Sequence, residues 1–236
     1  MGEPVKTPRP YHSPKHAAMR RATRQSVIAA AGRLFCERGY AGSSIEAIAR
    51  AAGVAVPTVY AAFGNKRSIL QATIDATVDE ERPRHMAERL REQAAGVQDQ
   101  ATRVQKLIRF HVSLLAQTAD VRRVVRGAAA TDPEIQSLLD EIYGRVYSAC
   151  ETSACLAMGV ASHDARTRRL ADVMFAFASS DLFDLLTGQR GWSVAEYEHW
   201  AIQTVTAALP AETAVRKDTA GDAYRDMPRS QAGRSA

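Results

Sequence analysis

Cysteine is scarce in this chain. Its 236 residues contain three, Cys36, Cys150 and Cys155, with no CxxC spacing. Three thiols cannot all pair within one chain, so a disulfide framework is not expected and a reducing, cytoplasmic setting fits better than secretion. Long apolar runs are also missing. No window approaches the roughly eighteen uninterrupted apolar residues that a membrane helix needs, and the opening MGEPVKTPRPYHSPKH lacks the apolar core of a secretory signal. No Gly-rich phosphate loop, GxSxG, HExxH or Cys/His pairing near a turn occurs, so no catalytic activity is expected. Asp181 and Asp184 resemble a general acid–base pair, but ion-paired or rim-exposed carboxylates are the commoner reading. Neither a metal nor a cofactor is expected: Cys150 and Cys155 fall on different helix faces, and His199 stands alone.

What is present reads as a soluble, globular chain of one or two domains, 46% hydrophobic and 24% charged. The net charge of +5 is unevenly placed. Residues 1–67 hold eleven Lys/Arg against three Asp/Glu, and the remainder twenty against twenty-three. Such asymmetry suggests a polyanion-binding module joined to a body with another task, the plainer alternative being a solvated basic surface. Residues 1–19, with four prolines, and 210–236 are poor in apolar side chains and are expected to be disordered arms. Between them the apolar spacing is helical throughout, which predicts an all-α fold.

The first helix is expected over Met19–Arg38, with Val27, Ile28, Ala31, Leu34 and Phe35 on one face, Cys36 buried beside them, and Gly39 just past the end. Ser43 and Glu46 form a capping-box pattern opening a second helix with Ile45, Ile48 and Ala49 inward. After a turn at Gly53-Val54 comes VAVPTVYAAFGNK, a short apolar helix that holds a proline and two hydroxyls. Pro57 fits a first helical turn, where the missing N–H has no partner to lose. Two short helices joined by a glycine turn make a helix-turn-helix, whose second helix enters the major groove of DNA. Val59 and Phe63 would hold that helix on its scaffold, leaving Thr58, Tyr60, Ala61 and Ala62 to face outward.

Residues from about 20 to 70, in particular GYAGSSIEAIARAAGV followed by PTVYAAFGNKRSIL, resemble the DNA-binding domain of the TetR (tetracycline-repressor) family of bacterial transcription regulators. The resemblance implies a three-helix DNA-binding domain over 20–65 and a helical ligand-binding and dimerisation domain over 66–209, about nine helices in all. It further implies that Ser44, Tyr60 and Lys66 bind phosphates and that Val56, Pro57, Thr58 and Ala61 lie against bases. The implied partners are a double-stranded DNA operator, a second copy of the chain and a small-molecule effector, with no membrane. Ala55 departs from the family habit of a hydroxyl residue at the start of the recognition helix. It cannot cap, at a cost of about 1 kcal/mol.

In the body, helices are expected from Lys66 (with Leu70, Ile74 and Val78 on one face) to a stop or kink near Pro83, then over 99–118, 121–130, 133–158, 164–187 and 194–209. The run RRLADVMFAFASSDLFDLLTG is apolar on more than one face, which marks a helix that is central or shared with a partner. The resemblance makes 166–187 and 194–209 the dimer seam, with Phe177 either in that seam or in the core. Candidate ligand contacts are Phe110, His111, Tyr143, Tyr147 and Phe175. For His111 a hydrogen-bonded core histidine is the commoner reading, and the two tyrosines fit a pocket wall or a surface pair alike. The competing functional class is a helical adaptor that uses the helix-turn-helix for protein contacts.

Overall fold

The computed structural model describes residues 14–78, 86–161 and 164–209. Among these there are ten α-helices, one π-helical turn and no strand. The amino-terminal unit comprises α1 (Pro14–Arg38), α2 (Ile45–Ala52), α3 (Val56–Phe63) and α4 (Lys66–Val78). The body comprises α5 (Met86–Ala94), α6 (Gln100–Ala129), α7 (Pro133–Met158), α8 (Ala165–Phe177), α9 (Ser180–Phe183), the π turn Asp184–Gln189 and α10 (Val194–Ala207).

The first helix starts at Pro14 instead of Met19, so residues 14–18, assigned to a basic arm by composition, are helical. Pro14 at its first position has no N–H to leave unpaired. The rest of both arms, and Pro83, lie outside the described residues. Val27, Ala31, Leu34 and Phe35 are buried as their spacing requires, and Gly39 ends the helix at φ 71°, a conformation that favours glycine. Cys36 corrects the sequence reading. It is exposed, one position round the helix from Phe35, which takes the buried place.

The start of α2 also differs from expectation. Ser44, not Ser43, is the N-cap, its Oγ accepting from the Ala47 N–H at 3.1 Å. Ser43 is fully buried, and its hydroxyl lies 3.0 Å from the Leu34 carbonyl and 2.9 Å from that of Gly39, stapling α2 to the end of α1. One residue of register therefore turns the capping box into a simple cap, with Glu46 in the first turn.

Two cores run through the molecule. One joins α1–α4 to the far end of α6 (Val121, Val125, Ala129) and the near end of α7 (Ile135, Leu138, Ile142). The other joins the opposite ends of α6 and α7 to α5, α8, α9 and α10, with Leu107, Ile108, Cys150, Leu170, Met174 and Tyr197 among its buried side chains. The two long helices thus connect the amino-terminal unit to the body. The separate helices expected over 99–118 and 121–130 are one. The chain runs straight through because Asp120 is an exposed polar position and not a breaker. Asp99 caps its start, Oδ2 accepting from the Thr102 N–H at 2.7 Å.

Where the apolar run predicts one helix over 164–187, α8 stops at Phe177 and Ser179 caps a new start, leading into the π turn. Asp184 in that turn receives both Arg123 (2.9 Å) and Arg126 from α6, and Arg126 also meets Asp181 at 3.0 Å. The two carboxylates are therefore ion-paired. Burial alone raises the Asp184 pKa, but the hydrogen bonds from Arg123 and Arg126 outweigh it and hold the carboxyl below its ordinary value. Phe177 faces the interior, its ring 4.8 Å from that of Trp200, which removes it from any seam between chains.

Candidate DNA interface and ligand cavity

The α2–α3 pair is held by local chemistry at each junction. Gly53 takes a left-handed φ of 69°. Its N–H bonds back to the Arg50 carbonyl, and the Val54 N–H reaches the Ala49 carbonyl at 3.0 Å, the paired bonds of a Schellman stop. The helices on either side are bent by 106°, within the range of about 90–120° for a helix-turn-helix. Val59 and Phe63 anchor α3 from beneath, at 0% and 8% exposure. Phe63→Ala would cost about 3–5 kcal/mol and release the helix. Arg24 of α1 donates to the Ala62 carbonyl at 3.3 Å while lying 4.4 Å above the Phe63 ring, a cation at the negative end of the α3 dipole.

This anchoring leaves one side of α3 uncovered. Pro57, Thr58, Tyr60 and Ala61 are exposed, Tyr60 at 48%. Among the described residues neither the Thr58 nor the Tyr60 hydroxyl has a hydrogen-bond partner, so both are available to an external one. Val56 is half-buried and packs partly on the core. Ala55 has cap backbone geometry (φ −73°, ψ 144°) but no side-chain bond, as its chemistry dictates. Ser44 sits at the N-terminus of α2. Lys66, at the start of α4, donates to the Tyr40 carbonyl at 2.9 Å and lies 4.2 Å over the Tyr40 ring, so part of its bonding capacity is engaged within the domain. Asn65 caps the same helix through the Ser68 N–H at 2.8 Å.

The second candidate feature is a partly open cavity of about 330 Å³ lined chiefly by α4, α5, α6 and α7, with Ala178 beyond α8. Its wall is mainly apolar, with Ile74, Met86, Leu114, Leu115, Ile142 and Val146, and its polar groups include His111, Arg122, Thr152 and the Asp75–Arg145 pair. The His111 Nε2 lies 2.8 Å from the hydroxyl of buried Ser153. Burial first, and the charge of Arg122 second, lower its pKa to about 4, so the imidazole is neutral near pH 7. His111 is hence both a hydrogen-bonded interior histidine and a wall residue.

The other four expected ligand contacts lie outside this wall. Phe110, one residue along α6, is rotated away and carries the Arg89 guanidinium 4.8 Å over its ring. Tyr143 and Tyr147 are on the side of α7 that meets α8, where their rings stand edge-on to Phe175 at 6.1 and 5.4 Å. Their hydroxyls turn to Asp181 and Asp172. The cavity instead uses Ile142, Val146 and Ala149 from the neighbouring face of α7. Sequence reasoning misses Arg122, whose charge reads as solvated until the packing around α6 is known.

An outward α3 on a glycine-turned, 106° helix pair defines a helix-turn-helix protein with an attached all-helical body. Residues 27–73, from within α1 into α4, match the profile of the bacterial regulatory proteins, tetR family. This stretch is therefore a DNA-binding domain of the tetR type. Over 65 residues it is 32% identical to the HTH-type transcriptional repressor ComR of Escherichia coli strain K12, a match covering 28% of this chain and 31% of that protein. The chain thus matches about a third of the length of that curated relative. Native NalD, the secondary repressor of the MexAB-OprM multidrug efflux pump in Pseudomonas aeruginosa, superposes with a TM-score of 0.61 at 20% identity, over 82% of this chain and 99% of that one. The regulator FadR from Bacillus subtilis in complex with stearoyl-CoA gives 0.60 at 19% identity, over 79% and 99%. At such identities the likeness is one of fold.

Proposed function

We propose that the protein is a cytoplasmic transcriptional repressor that binds a double-stranded operator as a homodimer and leaves it when a small molecule fills the α4–α7 cavity. The observation that carries this reading is shared wall material. Ile74 of α4 and Ile142 of α7 belong both to the core beneath the recognition helix and to the cavity lining. A ligand pressing on Ile74 acts on the helix that begins just after α3 ends, and so on the angle at which α3 is presented. The ligand must bind the DNA-free conformation better than the DNA-bound one, and by reciprocity the operator must weaken ligand binding by the same factor. ComR and NalD are repressors, and FadR was crystallised with stearoyl-CoA, which supports the reading at the level of kind. The seam we propose uses the exposed sides of α8 and α10, where Ala176, His199 and Gln203 lie.

Capture and sequencing of genomic duplex bound by the full chain tests the proposal. The expected result is a two-fold symmetric site whose half-sites lie about 34–36 Å apart, or near a multiple of one DNA turn. A monomer by light scattering on an asymmetric site contradicts the dimeric part, and no enriched sequence contradicts the whole.

A further inference from the structure

The five arginines of α6 differ in how their charge is met. Arg109 pairs with Glu198 at 3.0 Å, Arg123 with Asp120 and Asp184, and Arg126 with Asp181 and Asp184. Arg103 donates to three backbone carbonyls, those of Val97, Gln98 and Ala157. Arg122 has neither. Among the described residues no carboxylate and no hydrogen-bond acceptor meets its guanidinium, and its Nε is buried without a partner. It nevertheless lines the cavity, with Leu114 and Leu115 about two turns back along the same helix. The other charges at the wall do not compensate it. Asp75 is taken by Gln71 at 2.7 Å and by Arg145 at 3.2 Å, and Arg89 lies on the Phe110 ring.

A guanidinium that is largely buried, with its Nε cut off from water and unpartnered, is retained only against a cost, unless an anion reaches it. Its planar fork matches a carboxylate through two parallel hydrogen bonds. The remaining wall is chiefly apolar, and a cavity of about 330 Å³ is at the small end of ligand pockets, which run from about 300 to 1,000 Å³. One uncompensated positive charge beside a compact apolar chamber suits a monoanion with an apolar body. We therefore infer that the effector is a small amphipathic carboxylic acid, its carboxylate on Arg122 and its apolar part among Leu114, Leu115, Ile74 and Ile142. This rests on the cavity being the effector site proposed above.

The test uses the full chain and three probes of similar tail and different head: decanoate, decanol and decyltrimethylammonium. Calorimetric titration should give decanoate about tenfold or more tighter binding than the other two, the range expected for hydrogen bonds to a charged group. Arg122→Met keeps the apolar stem and should bring decanoate and decanol to similar affinity, whereas Arg109→Met, outside the cavity, should leave the preference intact. Arg122→Lys retains the charge without the fork, and it should keep the preference for anion over cation at reduced affinity even if the methionine variant folds poorly. Preference for the cation, or an anion preference that survives Arg122→Met, overturns the inference, as does failure of decanoate to bind. A separate arm measures operator release. Decanoate that binds through Arg122 yet leaves operator affinity unchanged keeps the acid site and defeats the effector reading. Release by decanol as effective as by decanoate keeps the effector reading and defeats the acid class.

Discussion

Replacing His111 by glutamine should flatten the acid side of the stability profile. In the folded chain burial, then the charge of Arg122, hold the imidazole pKa at about 4, against 6.5 for the free side chain. The folded pKa is depressed, so the unfolded state binds the proton more readily. The stability that depends on a neutral His111 is complete above pH 6.5, declines as pH falls, and is lost as pH passes through about 4. Linkage puts the loss at about 2 kcal/mol by pH 5 and about 3 kcal/mol at the end of the window. His111→Gln keeps a group able to bond the Ser153 hydroxyl, now 2.8 Å from the ring nitrogen, and cannot titrate. Urea unfolding at pH 7.5 and 5.0, at one fixed protein concentration because a dimer's stability depends on it, should show the wild type losing about 2 kcal/mol more than the variant. Arg122→Met should lessen the wild-type loss, since it removes the second cause. Equal losses in wild type and His111→Gln would refute the view that this imidazole is held neutral by its surroundings.

Three other substitutions probe separate parts of the molecule. Ala55→Ser places a hydroxyl where the backbone already has cap geometry, and should stabilise the amino-terminal domain by about 0.5 kcal/mol, the low end of the capping range, because the Thr58 N–H already bonds the Ala55 carbonyl at 2.9 Å. An unchanged or lower melting temperature contradicts this. Asp184→Asn strips Arg126 of one of its two carboxylates and should cost about 1–3 kcal/mol, less than the roughly 3–5 kcal/mol of an unrelieved buried charge because Asp181 remains. A double-mutant cycle with Asp181→Asn that shows strict additivity would disprove the shared network. Lys66→Ala should lower the salt slope of DNA binding by about 0.9 for each phosphate no longer neutralised, with folding checked because the Tyr40 interactions go too. An unchanged slope would leave Lys66 as a structural residue only.

How far the sequence reveals each part depends on whether local chemistry or packing decides it. The α2–α3 unit is legible because glycine at a positive φ, proline in a first turn and the Val59–Phe63 pair each fix their geometry within a few residues. The cap slips from Ser43 to Ser44 because adjacent serines offer the same hydroxyl and only burial against Leu34 and Gly39 tells them apart. Helix α5 leaves almost no periodic signal, since Leu90 is its one fully buried side chain. The break after Phe177 is marked only by Ser179, an N-cap residue obscured by the apolar run around it. In the cavity, His111 can be found from its place among leucines and isoleucines. Arg122 cannot, because an arginine among arginines looks solvated, and what distinguishes it is that no carboxylate among the described residues pairs with it. The pair Tyr143 and Tyr147 has the right i, i+4 spacing but belongs to the face that α8 covers.

Everything proposed for the effector presupposes that the exposed side of α3 reads base pairs. Affinity for the captured operator and for random duplex, measured across a range of salt concentrations for wild type and Thr58→Ala, decides this. The wild type should bind both DNAs in a salt-dependent manner, with a clear margin for the operator. Thr58→Ala, whose hydroxyl has no partner among the described residues, should narrow that margin by about 1–3 kcal/mol, relax one base position and leave the salt slope unchanged. A loss equal on both DNAs would contradict base reading by Thr58, and wild-type binding that ignores salt would contradict DNA recognition altogether.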